Sequence, residues 1–337
     1  MNRQVRKEMM KMIYGYYVSF SIGLCAKLEI PELLQNKAQT IEELSQKTEM
    51  NKEALLKMMR LLVANNIFTE ISAESFKNNE MSKTLISELK YLSQLHVSQV
   101  FQESWRNLEY SIKNEKSATK YVTGNSFYNY LNLDKNQEIR DIFDKAMVEI
   151  QSEDGRVIHD YYDFSIYKKI YDIGGGSGKF LSSIKRKYEH ISATLFDTEK
   201  VINKINPNSI ADISLLKGDF FESIPNDGDL YILRHIIHNW GDNEAVQILE
   251  ECVSETSHEA RFLVIEMVLD TDSEKKQTKE EITIYRDIHM LVALEGKQRT
   301  LKEFEGIFSS ASLEIEDIIL LPSGMNIFKL KKLKHKN

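Results

Sequence analysis

Residues Tyr171 to Gly178 read Y-D-I-G-G-G-S-G, a glycine-dense turn set between an apolar run and an amphipathic one. Glycines carry no Cβ, so the backbone of such a turn can come close to a bound ligand. Two phosphate-binding motifs fail to fit. The dinucleotide fingerprint needs glycine where Lys179 stands, and the P-loop needs Ser or Thr after its lysine, where this chain has Phe180. About twenty residues beyond the glycines a short apolar run ends in Asp197, at the usual distance for an acid that accepts both hydroxyls of a ribose. Farther on, Leu216 to Phe221 put Asp219 and Phe220 in another turn, one placed to accept from a nucleobase amine and the other to cover its ring. His235, His238 and Trp240 follow within L-R-H-I-I-H-N-W-G-D. Each residue also has a plainer reading. A lone aspartate after a strand serves as a turn or cap residue, Phe220 fits a core, and a glycine turn can bind nothing.

These residues need elements to position them. Lys169 to Ile173 is strand-like, whereas Phe180, Leu181 and Ile184 carry helical spacing, so the glycines form a strand-to-helix turn. From about Ile166 onward strand and helix patterns alternate: Ile170–Ile173, Leu195–Asp197, Ser214–Leu216, Leu230–Leu233, Phe262–Ile265, then a pair around Ile315–Leu320 and Met325–Leu330. That alternation predicts an α/β fold with a Rossmann-like, doubly wound, mostly parallel sheet. Ligands in such sheets bind beyond the carboxyl ends of the strands, where all the candidates above fall.

The first hundred residues predict three helices, Met9–Lys27, Thr40–Gln46 and Asn51–Ala64, followed by two short strands at Ile67–Glu70 and Ser75–Lys77. Thr40 and Asn51 each precede an acidic first turn, a capping signature. The result is a winged-helix pattern, and such units often read DNA. Here Lys52, Lys57 and Arg60 share the Asn51–Ala64 helix with Glu53 and many apolar residues, so no basic stripe emerges. Residues 101–165 form a helical, aromatic segment containing Trp105, Phe127, Tyr128, Tyr130 and Phe143, some of them expected to line a substrate pocket. The expected division is a domain over 1–100, a helical linker over 101–165 and a ligand-binding domain over 166–337.

The 337 residues carry a formal net charge of −7, which argues against a general nucleic-acid binder. Two cysteines far apart, Cys25 and Cys252, argue against a disulfide framework and fit a reducing cytoplasm. Arg3, Arg6, Lys7 and Lys11 precede the apolar stretch Ile13–Ala26 and so mimic a secretory signal. Tyrosines and serines dilute that stretch, Glu8 interrupts the charge, and it is too short to span a bilayer. An amphipathic helix packed in a dimer or a core is the better expectation, with no membrane partner.

The turn resembles the first motif, D-x-G-x-G-x-G, of S-adenosylmethionine-dependent methyltransferases. Taken with F-D-T ending near Asp197, G-D-F-F, H-N-W-G-D, I-E-M at Glu266 and G-K-Q-R-T at Gly296–Thr300, nearly the whole chain resembles the caffeate and hydroxyindole O-methyltransferase family. The resemblance implies a homodimer formed through the N-terminal domain and S-adenosyl-L-methionine as cofactor. Asp172, Gly174, Gly176, Asp197, Asp219, Phe220, Arg234 and Trp240 would line the cofactor site. It also implies His238 as the general base, oriented by Glu266 with Gln298 beside them, and a small-molecule acceptor with a phenolic hydroxyl. A phenol near pKa ~10 needs such a base at neutral pH.

Three departures stand out. Gln298 occupies the position of a family acid and can accept a hydrogen bond without offsetting a positive charge. Asn239 stands where the family has aspartate, and Arg234 where it commonly has lysine. These differences keep alternatives open: C-methylation of an α-keto acid with a metal held by His238 and His289, a winged-helix DNA-binding regulator, or an inactive scaffold. His289 also reads as an ordinary exposed helix residue, and His235 as structural.

Overall fold

The computed structural model describes residues 2–254, 256–269 and 280–333. The chain separates into two compact units, one formed by residues 1–106 and 128–151, the other by 107–127 and 152–337. The aromatic segment 101–165 is thus divided between the two units.

In the first unit, helices Arg3–Ile13 and Gly15–Lys27 replace the single helix expected from Met9, with the break at Tyr14. Thr40 caps the helix Ile41–Thr48 through a capping box with Glu43, and the Asn51 side chain accepts from the Ala54 amide at the start of Lys52–Ala64. Both helix starts match the capping signals in the sequence. The wing is a three-stranded antiparallel sheet of β1 (Gln39–Thr40), β2 (Phe68–Ser72) and β3 (Ser75–Asn78), in the order β1-β3-β2. Ile41, Leu44, Leu55, Met59, Leu62, Phe68 and Phe76 form its core.

The second unit is built on β4 (Lys169–Ile173), β5 (Ser192–Asp197), β6 (Ser214–Lys217), β7 (Leu230–Arg234), β8 (Arg261–Met267), β9 (Leu313–Leu320) and β10 (Met325–Lys332). Their order is β6-β5-β4-β7-β8-β10-β9, with β4 to β8 parallel and β10 antiparallel to both neighbours. Successive side chains of a strand face opposite sides. Tyr171, Ile173, Tyr231, Leu233, Phe262 and Val264 therefore pack on one layer with the helices Asp242–Val253 and Leu301–Ser310. Ile170, Leu230, Ile232, Leu263 and Ile265 pack on the other, with Phe180, Leu181 and Ile184 of the helix Lys179–Lys187. The strand order reverses beside β4 and β7, the switch point at which open α/β sheets take their ligands. No helix among the described residues is long and apolar enough to cross a membrane.

Candidate active site

The glycine turn leaves the carboxyl end of β4 with left-handed backbone at Gly174, Gly176 and Gly178, at φ 68°, 61° and 69°. Only glycine adopts that region at no steric cost. A Cβ at Gly174 would stand 2.6 Å from Ile236 Cδ1, and one at Gly175 would stand 2.3 Å from Asp172 Oδ2. Side chains are therefore excluded on two counts, and the backbone stays open to a ligand. The Gly174 amide donates to Phe196 O at 2.8 Å, and the Gly176 amide donates to Asp197 Oδ2 at 2.9 Å. Asp197 Oδ1 also accepts from the Thr198 amide at 2.7 Å. Burial pushes the Asp197 carboxyl upward, against the pull of these bonds.

Asp172 is 1% exposed, and neither carboxylate oxygen has a hydrogen-bond partner among the described residues. It faces the layer of Ile170 and Phe180. Burial raises its pKa to about 7, with the Arg234 charge opposing and Asp197 adding to the rise. Arg234, at the end of β7, is buried with its guanidinium 4.5 Å from the centre of the Phe180 ring. A cation over an aromatic face is attractive, and more so when desolvated.

On the opposite face of the sheet an aromatic wall forms. Phe220 and Phe221 meet Trp240 edge-on at 6.0 and 4.7 Å between ring centres, and a Cβ on Gly174 would lie 3.6 Å from Phe220 Cε1. Asp219 is exposed, and its Oδ1 accepts from the Phe221 amide at 2.9 Å.

His238 lies in the single 3-10 turn Ile237–Asn239 that follows β7. Its Nδ1 is 2.6 Å from Glu266 Oε2, and its amide donates to Glu266 Oε1 at 3.2 Å. Glu266 sits near the end of β8, in step with Phe262 and Val264, and is 0% exposed. Burial alone would raise its pKa, but the charges of His238 and His235 and the bonds from His238 bring it below the usual carboxylate range. An ionised Glu266 accepting from Nδ1–H fixes the tautomer and leaves the Nε2 lone pair available to take a proton.

His235 belongs to this group, which its structural reading in the sequence did not anticipate. Its backbone is left-handed at φ 57°, its amide donates to Ile265 O at 3.2 Å, and its ring lies 5.7 Å from that of His238. Donor atoms of His235, His238 and Glu266 lie within 4.8 Å of one another, the one such group among the described residues. His289, the partner expected for a metal with His238, is not part of it. Gln298 is buried, its backbone N–H donates to Asp287 Oδ1 at 2.8 Å, and its side-chain Oε1 has no partner among the described residues.

The sequence reading also passed over Arg299, a fully buried side chain that donates to the main chain on both sides of His238. Its one signal was an arginine inside the G-K-Q-R-T string. A separate apolar concavity of about 310 Å³ opens in the first unit among Ile22, Ile67, Met81, Leu85 and Leu92, where only His96 among the lining residues can titrate.

A glycine turn at the switch point of the sheet, a buried acid at the end of the neighbouring strand and a paired imidazole and carboxylate mark a ligand site of the Rossmann-like class. The O-methyltransferase domain family matches residues 105–314, and the O-methyltransferase dimerisation domain family matches residues 10–88. The chain belongs to the S-adenosylmethionine-dependent O-methyltransferase family. It is 28% identical over 334 residues to phenazine O-methyltransferase PhzM of Lysobacter antibioticus, with 96% of each chain covered. It is 25% identical over 333 residues to the mitomycin biosynthesis 6-O-methyltransferase of Streptomyces lavendulae, covering 96% of this chain and 93% of that one. Among solved structures, LaPhzM matches with a TM-score of 0.89 at 28% identity, over 98% of this chain and 99% of the other.

Proposed function

We propose that this enzyme methylates a phenolic hydroxyl of a small specialised metabolite, with His238 as general base and Glu266 as the residue that orients it. The observation that carries the reading is the 2.6 Å contact between His238 Nδ1 and a buried, ionised Glu266. Names of relatives lend support to a small-molecule acceptor, since one is a phenazine O-methyltransferase and another a mitomycin biosynthesis 6-O-methyltransferase.

The glycine turn and its acids fit S-adenosyl-L-methionine. Gly176 borders open space in which the amino-acid end can lie, while Asp197 offers a carboxylate to the ribose hydroxyls. Asp172 and Arg234 lie beneath the turn, and Phe220 and Trp240 wall the adenine side. The cofactor supplies an electrophilic methyl group. His238 Nε2 takes the hydroxyl proton of the acceptor as its oxygen becomes the nucleophile. Glu266 holds the imidazole and stabilises its protonated form. General-base assistance of this kind contributes roughly 10²–10⁴-fold.

A second copy of the chain would dock on the N-terminal helices. Met9, Met12, Ile13, Tyr16, Tyr17 and Phe20 are exposed there, a larger apolar run than a solitary soluble surface carries.

The test is product analysis by mass spectrometry with methyl-labelled S-adenosylmethionine and a panel of phenols and α-keto acids, with and without chelator. A labelled phenol ether that forms in the presence of chelator supports the reading. A C-methylated keto acid lost on chelation overturns it and assigns His238 to a metal, as the His235, His238 and Glu266 grouping permits.

A further inference from the structure

We infer that Arg299 is a positioning residue for the base: it sets His238 against Glu266 by clamping the backbone on both sides of the histidine. The inference rests on the reading of His238 as base.

Arg299 is 0% exposed, an unusual place for an arginine, which is almost never fully buried unless paired. Its backbone pairs beside the chain that leaves the strand carrying Glu266. Val268 and Arg299 form a parallel bridge just past β8, and the Leu269 amide donates to Arg299 O at 2.8 Å. Its side chain crosses to the segment that carries His238. Nη1 donates to Ile237 O at 3.0 Å and Nη2 to Trp240 O at 2.8 Å, while Nε donates to Asp242 Oδ1 at 2.9 Å.

One guanidinium therefore fixes the carbonyl just before His238, the carbonyl two residues after it and the first residue of the following helix, Asp242–Val253. The loop that carries Arg299 is itself immobilised. A Cβ on Gly296 would lie 2.1 Å from His238 O, so the loop lies flat on the histidine turn. Lys297 bridges Asp242 and Glu303 at 3.0 and 2.9 Å, and Thr300 forms a capping box with Glu303. Arg299 thus connects the β8 end, which holds Glu266, to the turn that holds His238.

The planar fork matters more than the charge. Lysine has three donors on a flexible stem and cannot hold two carbonyls and a carboxylate in one plane. Loosening the turn by a fraction of an ångström would degrade proton transfer while leaving the glycine turn and Asp197 untouched.

The experiment compares Arg299→Lys, Asp242→Asn and His238→Gln with the wild type, using two phenols of ordinary and strongly lowered pKa and measuring kcat, KM, cofactor affinity and Tm. Arg299→Lys is expected to keep cofactor affinity within about twofold and to lower kcat about tenfold or more with the ordinary phenol. The loss shrinks with the acidic phenol, which needs less base assistance, and a purely structural defect would not follow acceptor acidity. In the double variant with His238→Gln, Arg299→Lys adds little, because both act on one step. Asp242→Asn, an exposed change that weakens one arm of the clamp, repeats the acidity trend on a smaller scale should Arg299→Lys not fold.

Equal losses for both phenols, losses that multiply with His238→Gln, or an unchanged kcat in both Arg299→Lys and Asp242→Asn overturn the assignment. A His238→Gln enzyme at full rate removes the base reading and the positioning role with it. A His238→Gln enzyme that is inactive beside an unaffected Arg299→Lys removes the positioning role alone.

Discussion

Glu266 Oε2 and His238 Nδ1 stand 2.6 Å apart, although 28 residues separate them in the chain and they come from β8 and from the turn that follows its parallel neighbour β7. The carboxylate has no access to solvent, so the imidazole is its principal compensation. Removing one partner of such a buried pair typically costs about 3–5 kcal/mol. His238→Ala is therefore expected to lower Tm as well as activity, which would confuse a simple mutational test.

His238→Gln separates the two effects, because its amide can still donate to Glu266 but cannot take a proton at neutral pH. Turnover is expected to fall roughly 10²–10⁴-fold, with cofactor affinity close to that of the wild type and a smaller loss of Tm than His238→Ala shows. Isothermal titration with S-adenosylmethionine and a kcat measurement decide it, and wild-type turnover in His238→Gln rules out the base.

Asp197 joins the end of β5 to the glycine turn through the Gly176 amide, and in the proposed reading its carboxylate also meets the ribose of the cofactor. Asp197→Ala removes both. Charged hydrogen bonds of this kind contribute about 1.5–3 kcal/mol, a weakening of about 10- to 150-fold in affinity. The expected kinetic signature is a raised KM for the cofactor with kcat at saturation largely retained. A reduced kcat with unchanged KM would place Asp197 outside the cofactor site.

Asp172 makes the ligand-free protein sensitive to pH. Its folded pKa, about 7, lies above the ordinary carboxylate value, so the folded state holds a proton that the unfolded chain releases. Its stabilising contribution is complete below about pH 4 and is lost as pH rises through about 7. Asp172→Asn cannot titrate. Measured by Tm between pH 5 and 8, the wild type is expected to lose stability relative to Asp172→Asn as pH rises, and parallel curves would contradict the buried-acid account.

Parts of this site were legible because they depend on short-range spacing. The glycines, the strand that ends in Asp197 and the caps at Thr40 and Asn51 are local patterns that the fold preserves. The break at Tyr14 was missed because the apolar pattern runs through it, although Gly15 marked the place. The pairing of His238 with Glu266 could be expected only from resemblance, since nothing in the turn that carries His238 or in β8 points to the other. Arg299 was hidden for another reason: arginine is ordinarily a surface residue, and only the folded chain reveals three main-chain and carboxylate partners around it. His235 was equally hidden, because left-handed backbone at a residue other than glycine leaves no mark in the sequence. Asp219 stands at a strand end by position, and one oxygen of its carboxylate accepts from the Phe221 amide in its own turn.

The exposed apolar run of the N-terminal helices gives the last prediction. Phe20 lies on the helix Gly15–Lys27 with Tyr16 packed edge-on against it, and both rings remain exposed together with Tyr17 and Leu24. A second copy that covers this face would remove them from water, at about 25 cal/mol for each Å² of apolar surface. Phe20→Asp places a charge in that contact while leaving the unit's own core, which Phe20 does not join, intact. Sedimentation equilibrium is expected to give a dimer for the wild type and a monomer for Phe20→Asp, with Tm reduced because folding and association are linked by mass action. A monomeric wild type would remove the dimer, and a Phe20→Asp dimer of undiminished affinity would move the interface to another face.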